Sequence, residues 1–244
     1  MTLRFTSPVA PGGPAASSPL EPCLIEAGAR FEERDGWRVA TSFRPAPDEL
    51  ETIRLAAGIA DRSVMGKVEL QGTPDAVGSL LASVVPGGPP QPGATADLDG
   101  AWVWLSSPDR AVGLCEPAGT TSLMGLLESV CDVSPHCGVV EITAGLAAIG
   151  LRGPRARDLL ERLTSIDVRP SALPMGGVRA GAVAEVGATL LRPHEDEYLI
   201  LVSSQEAPDA WEIVIDAGGP LGARPVGADA LAQLSSRDEA MVHA

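Results

Sequence analysis

Two thiols and an imidazole, Cys131, His136 and Cys137, lie within seven residues of one another. Such a set can hold a soft divalent metal, but this spacing, with no second ligand pair elsewhere, is not that of a structural zinc site. A loop of small buried residues is the expectation here. Cys23 and Cys115 complete four cysteines without a CxxC pair, and a chain of 244 residues with no secretion signal is not expected to rest on a disulfide framework. No GxSxG segment provides a nucleophile elbow. The glycines of MGGVRAG (175–181) lack the spacing and context of a dinucleotide site. Carboxylates remain. Asp99 precedes Gly100 in a tight-turn pair, and Glu195 lies in PHEDE, the composition of an exposed hairpin tip. Met65, just after a helix, reads as a core gap-filler. Trp102 and Trp104 alternate with Val103 and share one strand face, which suits packing better than ligand stacking.

The elements that position these groups must be built mostly from aliphatic residues, because only 3% of the chain is aromatic while 45% is hydrophobic. Thirty-two acidic residues against 18 basic ones give a net charge of −14 and a pI near 4.6. That charge repels phosphate backbones and anionic membrane surfaces, so neither nucleic acid nor membrane is an expected partner. A local basic pocket for a small anion remains compatible with it. Residues 1–20 hold no long apolar run, and 1–17 reads as a flexible leader with no signal peptide or membrane span. The expected location is the cytoplasm.

The first helix signal is PDELETIRLAAG (47–58), with Pro47 at its start and Gly58 as its stop. A strand signal follows from Gly66 to Leu70. The stretch 68–81 then resembles 149–160: Leu70 and Gly72 match Leu151 and Gly153. After one deletion, Pro74, Ala76 and Leu80 match Pro154, Ala156 and Leu160. Each copy reads as strand, Gly, Pro at a helix start, then an amphipathic helix. Two hairpin patterns follow, at 101–115 and 188–202, each leading to a helix, at 121–130 and 207–218. The fold class expected is therefore α+β: two related strand–helix–hairpin–helix half-units with antiparallel or mixed sheets. The boundaries drawn are a subdomain of 18–55 plus 138–232, an inserted subdomain of 56–137 and a tail of 233–244. Proline-rich loops at 84–94 and 170–174 are candidate borders of a cleft between the halves.

The segment AAGIADRSVMGKVELQG (56–72) resembles the glycine-cleavage T-protein, or aminomethyltransferase, folate-binding family at Gly58, Asp61, Ser63, Met65, Gly66, Lys67 and Gly72. The likeness extends upstream through Ser18, Pro19, Gly28, Phe31, Gly36 and Trp37, and downstream through the Gly-Pro helix start at 149–164 and the Pro-x-Gly element in 223–231. It covers most of residues 18–231. It implies a T-protein-like folate domain lacking the family's C-terminal barrel, with a small-molecule pocket between the half-units.

The resemblance implies tetrahydrofolate as cofactor and an aminomethyl or other one-carbon transfer. Asp99 falls against one of the family's Asp-Asp pair and Gly100 against the other, which makes Asp99 the catalytic candidate. Glu195 matches the Glu that holds the pterin, which a carboxylate can do by accepting two N–H bonds. Met65, Glu116 and Arg192 complete the cofactor-binding set. Glu116 replaces an Asn and would repel folate's glutamate tail if it faced it. The flanking family motifs are altered, with two residues fewer in the second hairpin turn. A second expectation follows: a non-catalytic or repurposed subunit resembling the gamma subunit of heterotetrameric sarcosine oxidase, or a pocket reused for a non-folate substrate. A small-molecule ligand and a protein partner or homodimer are the partners implied.

Overall fold

The computed structural model describes residues 15–131 and 136–234. The expected leader up to residue 14 and the tail beyond 234 lie outside the described residues. The leader's last part is not loose: Ala16–Ser17 (β1) pairs in parallel with Trp37–Ser42 (β3), which also pairs antiparallel with Arg30–Arg34 (β2). Asp35 and Gly36 both take positive φ (50° and 77°) and close the β2–β3 hairpin with the twist such turns need. Between β1 and β2 lies the helix Glu21–Glu26 (α1).

Helix α2 spans Ala46–Leu55. It stops before Gly58, which instead opens the strand Gly58–Asp61 (β4). A Cβ on Gly58 would press on Val226 and Ile53, so close packing explains this glycine rather than helix termination. The first half-unit continues with β5 (Gly66–Gly72), α3 (Pro74–Val84), β6 (Ala96–Leu98), β7 (Ala101–Ser107), β8 (Arg110–Cys115) and α4 (Thr120–Cys131). The second comprises β10 (Leu146–Arg152), α5 (Ala156–Leu163), β11 (Gly177–Val183), β12 (Val186–His194), β13 (Glu197–Ser203) and α6 (Ala207–Gly218). Thr73 caps α3 by accepting the Ala76 N–H at 3.3 Å, with Pro74 in the first turn. In the second copy the helix starts two residues after Pro154, at Ala156. Its apolar stripe of Ala156, Leu159, Leu160 and Leu163 is buried as the spacing predicts.

The strand orders show that the repeat is structural. One sheet runs β6-β7-β8-β5 and the other β11-β12-β13-β10, the same element at each place. The remaining neighbours are exchanged. Strand β4 leads into β5 by sequence but pairs with β10; β9 (Cys137–Glu141) leads into β10 but pairs with β5. Each half therefore lends its leading strand to the other sheet. β14 (Arg224–Pro225) adds a parallel edge to β4.

Side-chain alternation assigns the layers. Ala147, Ile149, Leu190 and Ile200 face α5 and α6, while Val68, Leu70 and Val103 face α3 and α4. The opposite faces meet each other: Ala148, Leu191, Leu199 and Leu201 from one sheet pack on Trp104, Val112 and Leu114 from the other. Met65 is fully buried in this layer, and Trp102 packs against it. The shared face read for Trp102 and Trp104 is thus an interface between the half-units. Among the described residues no helix is long and apolar enough to cross a membrane.

Cys131 and Cys137 are joined as a disulfide, with Cα atoms 5.6 Å apart. This corrects the expectation of unpaired small loop residues, because the end of α4 and the start of β9 come together across a short connection. Closing so short a loop stabilises by about 2 kcal/mol on chain entropy. Reduction, or Cys137→Ser, is expected to lower chemical-denaturation stability by about that much.

Candidate functional site

Residues 61–67 form a turn held almost entirely by its own side chains. Asp61, at the end of β4, accepts the Ser63 N–H at 2.9 Å. The Ser63 hydroxyl accepts the Ala148 N–H at 3.1 Å, and the Met65 N–H bonds back to the Arg62 carbonyl at 3.0 Å. Lys67, the one lysine in the chain, is fully buried. Its ammonium donates to the carbonyls of Ser63 and Met65, each at 2.9 Å. Burial pulls the Lys67 pKa down to about 8, against the opposing pull of Asp61. Burial pushes the Asp61 carboxyl up, partly offset by hydrogen bonds from Ser18 and Ser63 and by the Lys67 charge. Gly66 is required because a Cβ would overlap the Thr120 hydroxyl at the start of α4.

This turn forms one wall of a cleft of about 720 Å³. Arg62 projects into it from the turn, Arg152 from the end of β10, Arg34 and Asp35 from the β2–β3 hairpin, and His194 from the end of β12. The turn of helix over 228–234 closes the far side through Leu231. Arg62 pairs with Glu116 at 2.5 Å and touches the Met65 sulfur at 3.5 Å. Arg152 pairs with Glu197 at 3.3 Å, and Arg34 with Asp229 at 2.7 Å. Three arginines thus line one concavity of a protein whose net charge is −14, together with the carboxylates of Asp35, Asp61 and Glu116. Trp102 meets His194 edge-on, with ring centroids 6.4 Å apart, so the first hairpin packs against the residue that lines the cleft from β12.

Of the five site residues expected from sequence, the structure brings Glu116 to this cleft and Met65 beneath it. Glu116 does face the cleft, and its expected repulsion of an anion is countered by Arg62. Asp99 is exposed at a hairpin tip, with φ of 53° followed by Gly100 at 82°, the conformation of a two-residue turn. Glu195 is exposed at the β12–β13 tip, where its backbone carbonyl, not its carboxylate, is engaged. Arg192 is buried with its guanidinium on the carbonyls of Leu173 and Glu195, so it braces the loop rather than facing the cleft. The proline-rich loops expected to border the cleft are tied to each other instead: the Arg179 guanidinium donates to the Gly93 carbonyl at 2.8 Å and to the Ala172 carbonyl at 2.6 Å.

Sequence reasoning missed Arg34, Arg62, Arg152 and His194. Arg62 is adjacent to the motif residue Asp61, but nothing in its spacing distinguishes it from other arginines. The other three come from separate elements that meet only in the fold. Among the described residues no cluster of His, Cys, Asp and Glu could hold a metal ion.

A sequence model of the GCVT N-terminal domain matches residues 103–242. The aminomethyltransferase of Anoxybacillus flavithermus is 26% identical over 230 residues, covering 86% of this chain and 60% of that protein. The chain thus spans about 60% of the length of such relatives. Among solved structures, the glycine cleavage system aminomethyltransferase T of Bartonella henselae superposes with a TM-score of 0.72 at 18% identity. It covers 88% of this chain and 60% of its own. A chain of the heterotetrameric sarcosine oxidase from a Corynebacterium species superposes at 0.62 with 22% identity, over 74% of this chain and 94% of its own. More than half of the sequence falls within the domain model, and the architecture is that of the T-protein: the chain belongs to the GCVT N-terminal domain family.

Proposed function

We propose that this chain binds a reduced folate in the arginine-lined cleft, and that any one-carbon transfer it supports proceeds without Asp99 and Glu195. The observation that carries the reading is the lining of one cleft by Arg34, Arg62 and Arg152 in a strongly acidic chain that belongs to this family. A guanidinium recognises a carboxylate by paired hydrogen bonds, and folate ends in carboxylates. Each arginine already has an acidic partner, so the ligand would exchange with Glu116, Glu197 or Asp229 rather than meet bare charge. Such an exchange keeps the cost of burying the cations low in both states. Tetrahydrofolate, the cofactor implied by the resemblance, is the ligand to test first.

A ligand that binds only the folded state stabilises it by RT ln(1 + [L]/Kd). Tetrahydrofolate or its 5-formyl derivative at about 1 mM is therefore expected to raise the melting temperature by several degrees. Asp99→Asn should keep that shift, and Arg62→Ala should lose most of it. No shift in the wild type with any reduced folate removes the reading.

A second reading is a non-catalytic subunit of a larger assembly. It is supported by the superposition on the sarcosine oxidase chain, which spans 94% of that chain. It predicts a stable heteromeric complex when the protein is purified at native expression levels. A protein that sediments alone and turns over folate by itself contradicts it.

A further inference from the structure

Strand β9 is an outer strand of its sheet, paired on one side with β5. Strand β4 holds the corresponding place in the other sheet, and there the outer edge is covered by β14. Among the described residues no strand takes that place on β9. The Ile142 N–H bonds to the Lys67 carbonyl at 2.8 Å, and the antiparallel register sets Val140 against Glu69 and Gly138 against Gln71. Alternation then turns the backbone groups of Gly138 and Val140 toward β5, and those of Val139 and Glu141 outward. Edge strands are usually guarded by charge or proline. The outer strand β2 reads RFEER, β6 carries Asp97 and β11 carries Arg179, whereas the charge in β9 is confined to Glu141, its last residue.

The side chains along this edge complement themselves. Val140 is a large apolar residue left 39% exposed. Two positions away, a Cβ on Gly138 would meet nothing within 4 Å. Gly138 opens instead onto a depression of about 380 Å³ that Gln71 and Arg110 also line. Val140 and Gly138 point to the same face of the sheet. Two antiparallel copies of β9, related by a two-fold axis at Val139, set Val140 of each opposite Gly138 of the other. That pair lies between ladder bonds, where facing residues come closest, at about 4.5 Å between Cα atoms. Each copy then supplies both the knob and the hole, as a two-fold contact requires. The two Glu141 residues fall at opposite ends, about 14 Å apart along the strands, beyond the screening length of about 8 Å in physiological salt. We propose that the free edge of β9 is where a second copy of this chain docks, by antiparallel strand addition that joins the two sheets into one. This inference does not rest on the folate reading, because no residue of β9 lines the arginine cleft.

A contact of five residues a side is small for a specific interface, and each chain carries a charge of −14, so the dimer is weak and salt strengthens it. Sedimentation equilibrium of the full chain from about 5 to about 500 µM is expected to show monomer and dimer with a Kd of about 10–100 µM, tighter by about threefold in high salt than in low salt. Gly138→Val fills the hole without pressing on its own chain, and Val140→Arg removes the knob from an exposed position. Each should weaken the dimer by about tenfold or more and leave the melting temperature of the dilute protein unchanged. Amide exchange is the second readout. Protection of the Val139 and Glu141 N–H groups should rise with protein concentration, while the Gly138 and Val140 N–H groups, turned toward β5, stay protected throughout. A monomer at every concentration overturns the proposal. So does a dimer that both variants leave intact, or exchange at Val139 that does not respond to concentration.

Discussion

Glu49→Ala is expected to lower the unfolding free energy by about 3–5 kcal/mol, a large part of a typical domain's stability. Glu49 is 1% exposed, and its carboxylate accepts three backbone N–H groups from two distant segments. Oε1 takes Phe43 at 2.5 Å and Arg44 at 2.8 Å, where β3 turns into α2; Oε2 takes Gly227 at 2.9 Å. A buried donor without a partner costs about 1–3 kcal/mol, and alanine leaves one buried donor at Gly227, two partly buried ones at Phe43 and Arg44, and a void. Glu49→Gln keeps one good acceptor and should cost less than half as much. Guanidinium midpoints at unchanged slope measure the difference. The loss should also loosen the helical turn over 228–234 that closes the cleft, because Gly227 anchors its start.

The second large effect is the pH dependence contributed by Lys67. Its folded pKa is drawn from 10.5 to about 8, chiefly by burial. Between those values the unfolded chain holds a proton that the fold releases, so stability rises with pH through this window. Below about pH 8 both states are protonated and the contribution is flat. The full rise amounts to about 3 kcal/mol. Cys23, Cys115 and Tyr198 act in the opposite sense, since burial raises each acidic pKa and favours the fold only while the group stays protonated. The informative quantity is therefore wild type minus Lys67→Met at pH 8, 9 and 10. That difference should climb by more than about 1 kcal/mol. A flat difference would mean that the buried amine does not titrate in this window.

Much of the fold was legible because it is encoded locally. The hairpins at 101–115 and 188–202, the helices at 121–130 and 207–218 and the buried stripe of Ala156, Leu159, Leu160 and Leu163 all follow from periodicity and turn chemistry. The exchange of β4 and β9 between sheets was not legible. Each is a short apolar strand whose partner is chosen by tertiary packing rather than by its neighbours in sequence. The family motif at 56–72 pointed to a pocket, and its conspicuous residues turned out to build the turn: Asp61, Ser63 and Lys67 bond inward, while Arg62 between them faces the cleft. Asp99 and Glu195 show two sequence signals in competition. The Asp-Gly pair and the HEDE tip describe what the backbone does at both places, and family register placed ligand chemistry on them.

Folate binding as proposed requires the arginine-lined cleft to hold an organic anion. Titration calorimetry of tetrahydrofolate into the wild-type chain and into an Arg62→Ala, Arg152→Ala double variant tests this most directly. The expected result is one saturable site in the wild type, weakened by about a hundredfold in the double variant, since each lost charge-assisted contact is worth about 1.5 kcal/mol. Absence of binding to the wild type, or equal affinity in the double variant, contradicts it.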